Sequence, residues 1–394
     1  MSVVSNLVSS ISPSNTLEIN NKTQEMIKKG LDVINLSLGE PDFDTNAAVA
    51  NEGMQAIKLG YTKYTAAQGM VELRAKIVSK LKRDNQLQYN IDEILISNGG
   101  KQALFIAFMT ILQQNDEVII PKPYWPSYPE QIKLTGAKPV LVDTDRKNNY
   151  KITTKELKNA ISKNTKALLL NSPNNPTGAV YSKKELLELL KIAKEYNIFV
   201  ISDEIYEKII YDKTHVSIAS LDSSYREKII IINGFSKAFS MTGWRLGYVV
   251  AEKSIIKAMS SLQSQISGSI SSISQRAGMV AYENFDESTV AEFKKRRDYV
   301  VSRLNNMPYV DSVNPEGAFY IFPNLKKIIG KNYKNVKIES IYHMCELWLE
   351  DILVSVVPGS EFGSLNNVRI SFANSLNNLE KAMDRIELFL NKVQ

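Results

Sequence analysis

The feature that most constrains the fold is a series of short, continuously apolar segments that alternate with helix-like stretches between residues 94 and 232. Apolar segments of four or five residues bounded by turn-forming residues are typical of strands buried on both faces. When such strands alternate with helices, they form a mainly parallel sheet with helices packed on both sides. The predicted strands span residues 94–97, 117–120, 166–170, 198–201 and 228–232, and the predicted helices span residues 69–84, 101–112 and 182–196.

The remaining residues predict a second, smaller domain. The chain has 394 residues, which is more than a single hydrophobic core usually serves. A helix at 16–29 and a strand at 33–38 precede the sheet, and the C-terminal part mixes helical and strand patterns. We therefore predict an α/β protein with a large domain at 46–288 and a smaller α+β domain formed by 1–45 and 289–394.

Polar residues follow three of the predicted strands at nearly even intervals. Asn171, Asp203 and Lys237 are separated by 32 and 34 residues, and each interval predicts about one strand–helix–strand unit. The carboxyl ends of parallel strands share one edge of a sheet, and ligands bind beyond that edge. We therefore expect an amide, a carboxylate and an amine to meet at one site.

This combination of groups suits pyridoxal 5'-phosphate (PLP). The aldehyde of PLP reacts with a lysine amine, and its pyridine nitrogen needs a carboxylate to hold a proton. Its phosphate needs backbone N–H groups at the start of a helix and a cation. Lys237 and Asp203 meet the first two needs, and Gly100, Lys101 and Arg245 meet the third.

The chain also resembles a known family, the fold-type I PLP enzymes, and specifically the class I aminotransferases of the bacterial aspartate aminotransferase type. The resemblance covers nearly the whole chain and rests on the order of several short motifs. These motifs are Gly39-Glu-Pro-Asp-Phe43, Lys63-Tyr64-Thr65, Gly99-Gly-Lys-Gln102, Pro123-Tyr-Trp125, Asn174-Asn-Pro-Thr-Gly178, Ser202-Asp-Glu-Ile-Tyr206, Ser236-Lys237 with Gly243-Trp-Arg245, and Val368-Arg-Ile-Ser371.

The resemblance implies how the cofactor is held. Lys237 would carry PLP as a Schiff base and then move the proton during transamination. Asp203 would pair with the pyridine nitrogen, while Tyr206 and Asn175 would bind the ring oxygen. The further contacts that the resemblance implies are Trp125 against the ring, and Arg245, Ser236 and the backbone amides of Gly100 and Lys101 at the phosphate.

The resemblance also implies substrate and subunit contacts. Arg369 would clamp the substrate α-carboxylate, helped by the backbone of Gly39, with Trp125 and Asn175 beside the substrate. Lys101 stands in a first helical turn, where it opposes the helix dipole by up to about 1 kcal/mol. In relatives, a lysine at this position faces the distal carboxylate of a dicarboxylic substrate. Tyr64 would reach the phosphate of a neighbouring subunit, which implies a homodimer with shared active sites.

Each candidate also has an ordinary structural interpretation. Lys237 alone would be a surface lysine, Asp203 could cap a following helix, and Trp125 could be a packed loop aromatic. Residues 174–178 could form a simple turn, and Arg369 could lie on an edge strand.

Three stretches depart from the family pattern. Relatives usually read Ser-Gln-Ser-Thr-Ser-Asn-Pro where residues 264–270 read Ser-Gln-Ile-Ser-Gly-Ser-Ile, so the asparagine and proline are missing. The position three before the cofactor lysine is often serine, and here it is Gly234. Relatives that accept prephenate carry a basic residue before a Pro-Ser pair, where this chain has Ser12.

Composition argues against several other classes of protein. Lysine and arginine number 48 against 42 acidic residues, but the lysines alternate with glutamates and form no basic block, so we expect no nucleic-acid partner. One cysteine and two histidines exclude an internal disulfide and argue against a metal site. The sequence has no membrane-spanning apolar run and no secretory signal pattern, so we expect a cytoplasmic protein without a membrane partner.

The leading hypothesis is reversible transamination between L-aspartate and 2-oxoglutarate, which gives oxaloacetate and L-glutamate. Alternatives in the same fold are an aromatic, prephenate or alanine aminotransferase and a C–S β-lyase, for which Lys101 would be irrelevant. A non-catalytic PLP-sensing module is a more remote alternative. Such modules carry an N-terminal DNA-binding domain, and we predict only about one helix before the first core strand.

Overall fold

The computed structural model describes residues 4–9, 11 and 15–394. Ser12, which bears on the prephenate alternative, lies outside these residues. The helices are α1 (Asn6–Ser9), α2 (Asn15–Lys28), α3 (Ala47–Lys58), α4 (Val71–Asn85), α5 (Gly99–Ile111), α6 (Ser127–Lys133), α7 (Thr154–Ala160), α8 (Lys183–Glu195), α9 (Lys253–Ile266), α10 (Ser272–Ala281), α11 (Glu287–Asn305), α12 (Ile341–Asp351) and α13 (Leu376–Asn391). The strands are β1 (Ile34–Asn35), β2 (Ile94–Ser97), β3 (Glu117–Pro121), β4 (Lys138–Val142), β5 (Thr165–Asn171), β6 (Phe199–Asp203), β7 (Ile229–Gly234), β8 (Gly247–Val250), β9 (Tyr320–Ile321), β10 (Asn332–Tyr333), β11 (Val336–Lys337), β12 (Val354–Ser355), β13 (Val357–Pro358) and β14 (Val368–Ser371).

The central sheet has the strand order β2-β8-β7-β6-β5-β3-β4. Neighbours from β7 to β4 pair in parallel, whereas β8 is antiparallel to both β7 and β2. The predicted α/β fold with a mainly parallel sheet is confirmed. The five predicted strands are present with ends shifted by at most two residues, and the structure adds β4 and β8 to them.

Strand β5 shows why these strands are apolar along their whole length. Ala167 and Leu169 pack into the hydrophobic core on one side of the sheet, and Leu168 and Leu170 pack into the core on the other side. Burial of each leucine contributes roughly 1.5–3 kcal/mol to folding. A polar residue at any of these positions would face a helix-covered surface on one side or the other.

A third core is formed mainly by residues 293–393, which Ile34 and Leu36 join from the N-terminal segment. Regular pairing of β1 with β12 covers only Ile34 and Asn35, so the predicted strand at 33–38 is too long. The side chain of Asn35 accepts hydrogen bonds from the N–H and hydroxyl of Ser37, so the N–H of Ser37 is bonded locally and not to a neighbouring strand. The domain boundaries at 45/46 and 288/289 stay a prediction.

The connection between β6 and β7 differs from the one that the spacing predicts. In the described residues it holds only short 3₁₀ turns, at Ile218–Ser220 and Ser223–Lys228, so a strand–helix–strand unit at this place is wrong. The connection between β5 and β6 does contain a helix, α8, and its predicted capping box between Ser182 and Glu185 is confirmed. Both connections return the chain in parallel, so the carboxyl ends of β5, β6 and β7 lie side by side.

Candidate active site

A cavity of about 660 Å³ lies at the carboxyl ends of these three strands. Its walls include every residue predicted to bind cofactor or substrate except Tyr64, whose side chain is 97% exposed. The predicted residues that line the cavity are Gly39, Gly100, Lys101, Trp125, Asn175, Asp203, Tyr206, Ser236, Lys237, Arg245 and Arg369. The sheet and its connections therefore bring together groups that are up to 330 residues apart in the sequence.

Lys237 follows β7 and directs its amine across the cavity. Nζ donates a 2.6 Å hydrogen bond to the backbone oxygen of Gly39. Burial lowers the pKa of the amine to about 8, and although Glu40 opposes this shift, Arg369 and Arg245 reinforce it. The uncharged amine, which is the nucleophilic form, is therefore much more accessible near neutral pH than in an ordinary lysine.

Asp203 ends β6 and is buried in the wall of the cavity. Its Oδ2 accepts a 2.7 Å hydrogen bond from the hydroxyl of Tyr128, and its Oδ1 accepts one of 3.2 Å from the N–H of Ile205. Burial raises the pKa of the carboxyl to about 6 despite these two bonds. Within the described residues, this carboxylate forms no salt bridge, so a bound cationic group would relieve the burial penalty.

The start of α5 forms a cradle beside Arg245. Gly99 has a positive φ of 76°, and a Cβ there would lie 2.7 Å from Nη2 of Arg245. A Cβ at Gly247 would lie 2.6 Å from the carbonyl carbon of Gly99. These two glycines therefore allow the guanidinium, the helix start and β8 to approach closely. Free N–H groups at a helix start next to a cation bind anions such as phosphate.

Arg369 on β14 is a buried cation. Its Nη2 donates to the backbone oxygen of Ser37 at 2.6 Å, and its Nη1 donates to Oδ1 of Asn175 at 3.3 Å. Nε is buried without a partner, and across the described residues no carboxylate lies within salt-bridge distance of the guanidinium. Burial lowers the pKa of this group. A carboxylate from a ligand would satisfy both the charge and the remaining donors.

Lys101 is a further cation at the cavity, and the described residues also give it no salt bridge. Its Nζ lies 5.0 Å from the ring centroid of Trp125, which is a cation–π contact. Burial, followed by the nearby charge of Arg245, lowers its pKa. Lys101 is exposed as a residue, but it lines the cavity and its ammonium group stays beside the ring of Trp125.

Sequence reasoning missed two tyrosines that line the cavity, Tyr128 and Tyr320. Tyr128 holds Asp203, and the hydroxyl of Tyr320 lies 3.0 Å from that of Tyr206. A signal for Tyr128 was present, because it stands one helical turn after Trp125, with which it forms an edge-to-face ring contact at 5.3 Å. No comparable local signal marks Tyr320.

Two of the departures from the family pattern have structural correlates. A Cβ at Gly234 would lie 2.9 Å from Cα of Gly247, so a serine cannot fit there without a shift of β8. In the 264–270 segment, Ser267 accepts a 2.8 Å hydrogen bond from Gln102 in the first turns of α5, and Gly268 has a positive φ of 68°. The segment therefore contacts the helix that carries Lys101.

Comparison with known proteins decides the family. The family model described as "Aminotransferase class I and II" matches residues 31–386. This chain belongs to the class I and II aminotransferases. It is similar to the aspartate aminotransferase of Bacillus subtilis (strain 168), with 44% identity over 390 residues that cover 98% of each chain. It is also 42% identical over 393 residues to a probable aspartate/prephenate aminotransferase of Rickettsia felis, covering 98% of this chain and 96% of the relative.

The fold agrees with this aminotransferase assignment. The crystal structure of the aspartate aminotransferase from Rhizobium meliloti superposes with a TM-score of 0.96 at 39% identity and covers all of both chains. The protein is therefore a PLP-dependent aminotransferase. The cavity fits that cofactor, because it offers a lysine with a lowered pKa, a buried carboxylate without a cationic partner and an anion cradle at a helix start. In the part of the chain that the structure describes, no helix has the length and apolar character needed to cross a membrane.

Proposed function

We propose that this aminotransferase catalyses reversible transamination between L-aspartate and 2-oxoglutarate. The observation that carries the proposal is the pair of cations Arg369 and Lys101, which line one cavity and have no acidic partner among the described residues. A dicarboxylic substrate supplies one carboxylate for each cation. The names of the relatives from Bacillus subtilis and Rickettsia felis, both of which include aspartate, support the same substrate class.

The cofactor roles that we assign follow from the groups at the strand ends. PLP, when bound, withdraws electrons from the substrate and makes its Cα proton acidic. The amine of Lys237 accepts that proton and returns it, which its lowered pKa favours. The carboxylate of Asp203 holds the proton of the pyridine nitrogen. The other proposed cofactor contacts are Tyr206 and Asn175 at the ring oxygen and Trp125 on the ring face. At the phosphate we place Arg245, Ser236 and the backbone amides of Gly100 and Lys101.

We assign orientation of the substrate to a second group of residues. Arg369 binds the α-carboxylate through its fork of N–H donors, and Asn175 and the backbone of Gly39 stand beside it. Lys101 binds the distal carboxylate, with the ring of Trp125 behind its amine. Two fixed points on one small molecule restrict the orientations in which its Cα–H bond can meet Lys237.

We further propose a cytoplasmic homodimer whose active sites are shared. Tyr64 is almost fully exposed, so its ring is available to another surface. Other large apolar side chains in the same stretch of chain are exposed as well, namely Met54, Ile57, Leu59, Tyr61 and Val71. A second copy packed on this surface would bury these side chains and bring Tyr64 to the phosphate cradle of the partner.

Prephenate is a second candidate amino acceptor. The name of the Rickettsia felis relative, which includes prephenate, favours it. Prephenate also carries two carboxylates, so Arg369 and Lys101 would suit it too. Relatives that accept prephenate carry a basic residue where this chain has Ser12, and this difference favours aspartate alone.

A steady-state comparison of amino donors tests the proposed substrate. Purified protein with PLP is incubated with 2-oxoglutarate and L-aspartate, L-alanine or L-phenylalanine, and glutamate formation is measured. We expect kcat/KM to be highest with L-aspartate. A higher value with alanine or phenylalanine would overturn the aspartate assignment, and pyruvate release from cystathionine would indicate a C–S β-lyase. Transfer from L-glutamate to prephenate, measured in the same way, decides the second candidate.

A further inference from the structure

A buried cluster of charged side chains lies behind the cofactor cavity, on the far side of β6 from it. It consists of Lys80, Glu204, Glu207 and His215, whose side chains are 1–8% exposed. None of them lines the cavity. Glu204 follows Asp203 directly in the sequence, so the cluster and the proposed partner of the pyridine nitrogen share one stretch of backbone.

The carboxylate of Glu204 is fixed by hydrogen bonds from two segments. Its Oε1 accepts from the hydroxyls of Ser202 at 2.9 Å and Ser217 at 2.8 Å. Its Oε2 lies 3.1 Å from Nε2 of His215. The backbone N–H of Glu204 donates to the oxygen of Ile232 on β7 at 2.9 Å.

The charges in the cluster balance when His215 is protonated. Lys80 contacts Glu207, and the amide of Asn85 bonds both of them. That leaves Glu204 to be balanced by His215. Burial disfavours the charged imidazole, but the carboxylates of Glu204 and Glu207 outweigh burial and raise the pKa of His215, while Lys80 opposes them. The titratable groups that face His215 are thus Glu204, Glu207 and Lys80.

The same cluster contains a set of residue types that bind metals. One ligand atom from each of Glu204, Glu207 and His215 lies within 4.8 Å of the others. The ammonium group of Lys80, however, already contacts the carboxylate of Glu207. A cation is thus built into the cluster, and the balance of charges favours an internal ion network over a metal site.

The direction of the side chains along β6 links this network to the cavity. Side chains alternate across a strand. The bond between Ser202 and Glu204 holds two side chains on one face, and Asp203 points to the opposite face, where the cavity lies. Fixing the residues on both sides of Asp203 fixes the direction of its Cα–Cβ bond.

We propose that Glu204, paired with His215, is a positioning residue that holds the carboxylate of Asp203 in the orientation needed by the cofactor. This inference rests on the proposed role of Asp203 at the pyridine nitrogen. Tyr128 and the N–H of Ile205 orient the carboxylate within the cavity, and the Glu204–His215 pair anchors the backbone from behind.

The test compares two buried glutamates at opposite ends of the sheet. Glu204→Ala removes the anchor, and Glu93→Ala is the matched control, because Glu93 is equally buried before β2 and pairs with Arg226. Glu204→Gln keeps an oxygen for the two serines and can donate to a neutral His215, so it is the conservative rescue. The dissociation constant of PLP, the melting temperature of the apo-protein, and kcat and KM for L-aspartate are measured for each variant.

We expect Glu204→Ala to weaken PLP binding at least about tenfold. Losses of this size are typical when a residue is removed that orients a residue in direct contact with the bound group. We expect kcat to fall with little change in KM, and Glu204→Gln to bind PLP within about threefold of wild type. Glu93→Ala should lower the melting temperature without weakening PLP binding. If Glu204→Ala binds PLP as tightly as Glu93→Ala does, the positioning role is overturned.

A second variant decides the matter if Glu204→Ala does not fold. His215→Gln leaves the carboxylate of Glu204 without its counter-charge, and it should weaken PLP binding at least about tenfold. The double variant Glu204→Gln/His215→Gln removes both charges and should restore the affinity. An unchanged affinity in His215→Gln would overturn the proposal. A wild-type protein that binds PLP but does not react with L-aspartate would instead refute the proposed function.

Discussion

The hydroxyl of Tyr128 donates a 2.7 Å hydrogen bond to Oδ2 of Asp203, and both side chains are buried. Burial raises the pKa of this carboxyl group to about 6, and the hydrogen bond from Tyr128 opposes that rise. Tyr128 stands in α6 and Trp125 lies just before this helix, so one short stretch of chain carries the proposed ring contact and the group that holds the proposed partner of the pyridine nitrogen.

Replacing Tyr128 with phenylalanine removes this donor while leaving the ring. A hydrogen bond to a charged group contributes about 1.5–3 kcal/mol, so we expect the pKa of Asp203 to rise and kcat to fall at least about tenfold. KM for L-aspartate should change little, because Tyr128 contacts neither Arg369 nor Lys101. Steady-state kinetics of Tyr128→Phe from pH 5 to 8 would measure this. A kcat equal to that of wild type across that range would show that the bond has no part in activity.

The lowered pKa of Lys237 predicts how the apo-protein takes up PLP. Only the uncharged amine attacks the aldehyde, and burial places the pKa near 8 instead of the usual 10.5. The rate of PLP binding to apo-protein should therefore rise with pH and level off above about 8. Stopped-flow absorbance across pH 6–10 would record the profile. A rate that climbs steadily to pH 10 would mean that the amine titrates like a surface lysine.

Arg369→Lys tests the proposed clamp on the α-carboxylate. Lysine keeps the charge but loses the planar fork and the bonds to Ser37 and Asn175. Loss of a buried, hydrogen-bonded charge contact costs about 2–5 kcal/mol, so kcat/KM for L-aspartate should fall by roughly 30-fold to 5,000-fold. Binding of PLP, measured by absorbance titration, should stay within about threefold of wild type. An unchanged kcat/KM in Arg369→Lys would show that the α-carboxylate of the substrate is bound by another residue.

Lys101→Gln tests recognition of the distal carboxylate. Without the ammonium group, kcat/KM should fall at least about tenfold for L-aspartate and change little for L-alanine, which has no distal carboxylate. Lys166→Gln is a matched control, because Lys166 also lies over an aromatic ring, at 5.7 Å from the centroid of Phe199, but at the amino end of β5. Equal losses for both amino acids would show that Lys101 serves the cofactor or the fold rather than the substrate.

The predicted role of Tyr64 at a dimer interface has a different basis from the roles of the residues that line the cavity. Tyr64 lies outside the cavity of its own chain, and its assignment rests on the family resemblance together with its exposure. The subunit arrangement stays a prediction, as do the domain boundaries.

Local patterns were enough to predict the inner strands and the polar groups at their ends. Strands buried on both faces, such as β5, leave an unbroken apolar segment in the sequence. Strand β8 escaped prediction because it begins at Gly247, whose missing side chain is required by the close approach of Gly99. Strand β4 escaped because it is an edge strand with a proline and partly exposed side chains.

The cavity residues that were missed depend on long-range packing. Tyr320 reaches Tyr206 only because the core of residues 293–393 packs against the sheet edge, and nothing near residue 320 in the sequence signals this contact. The absence of an α-helix between β6 and β7 was equally hidden, since the residue interval alone suits a helix or a long loop. Spacing predicts which strand ends meet, but it does not predict the path of the chain between them.

The most direct test of the central claim is the half-reaction of the PLP-loaded protein with L-aspartate in the absence of a 2-oxo acid. We predict that the visible absorbance of the bound cofactor gives way to that of its pyridoxamine form and that an equivalent amount of oxaloacetate appears. Lys237→Ala, measured in parallel, should show neither change. An unaltered spectrum of the wild-type protein without oxaloacetate, or turnover by Lys237→Ala at the wild-type rate, would contradict this account of the site.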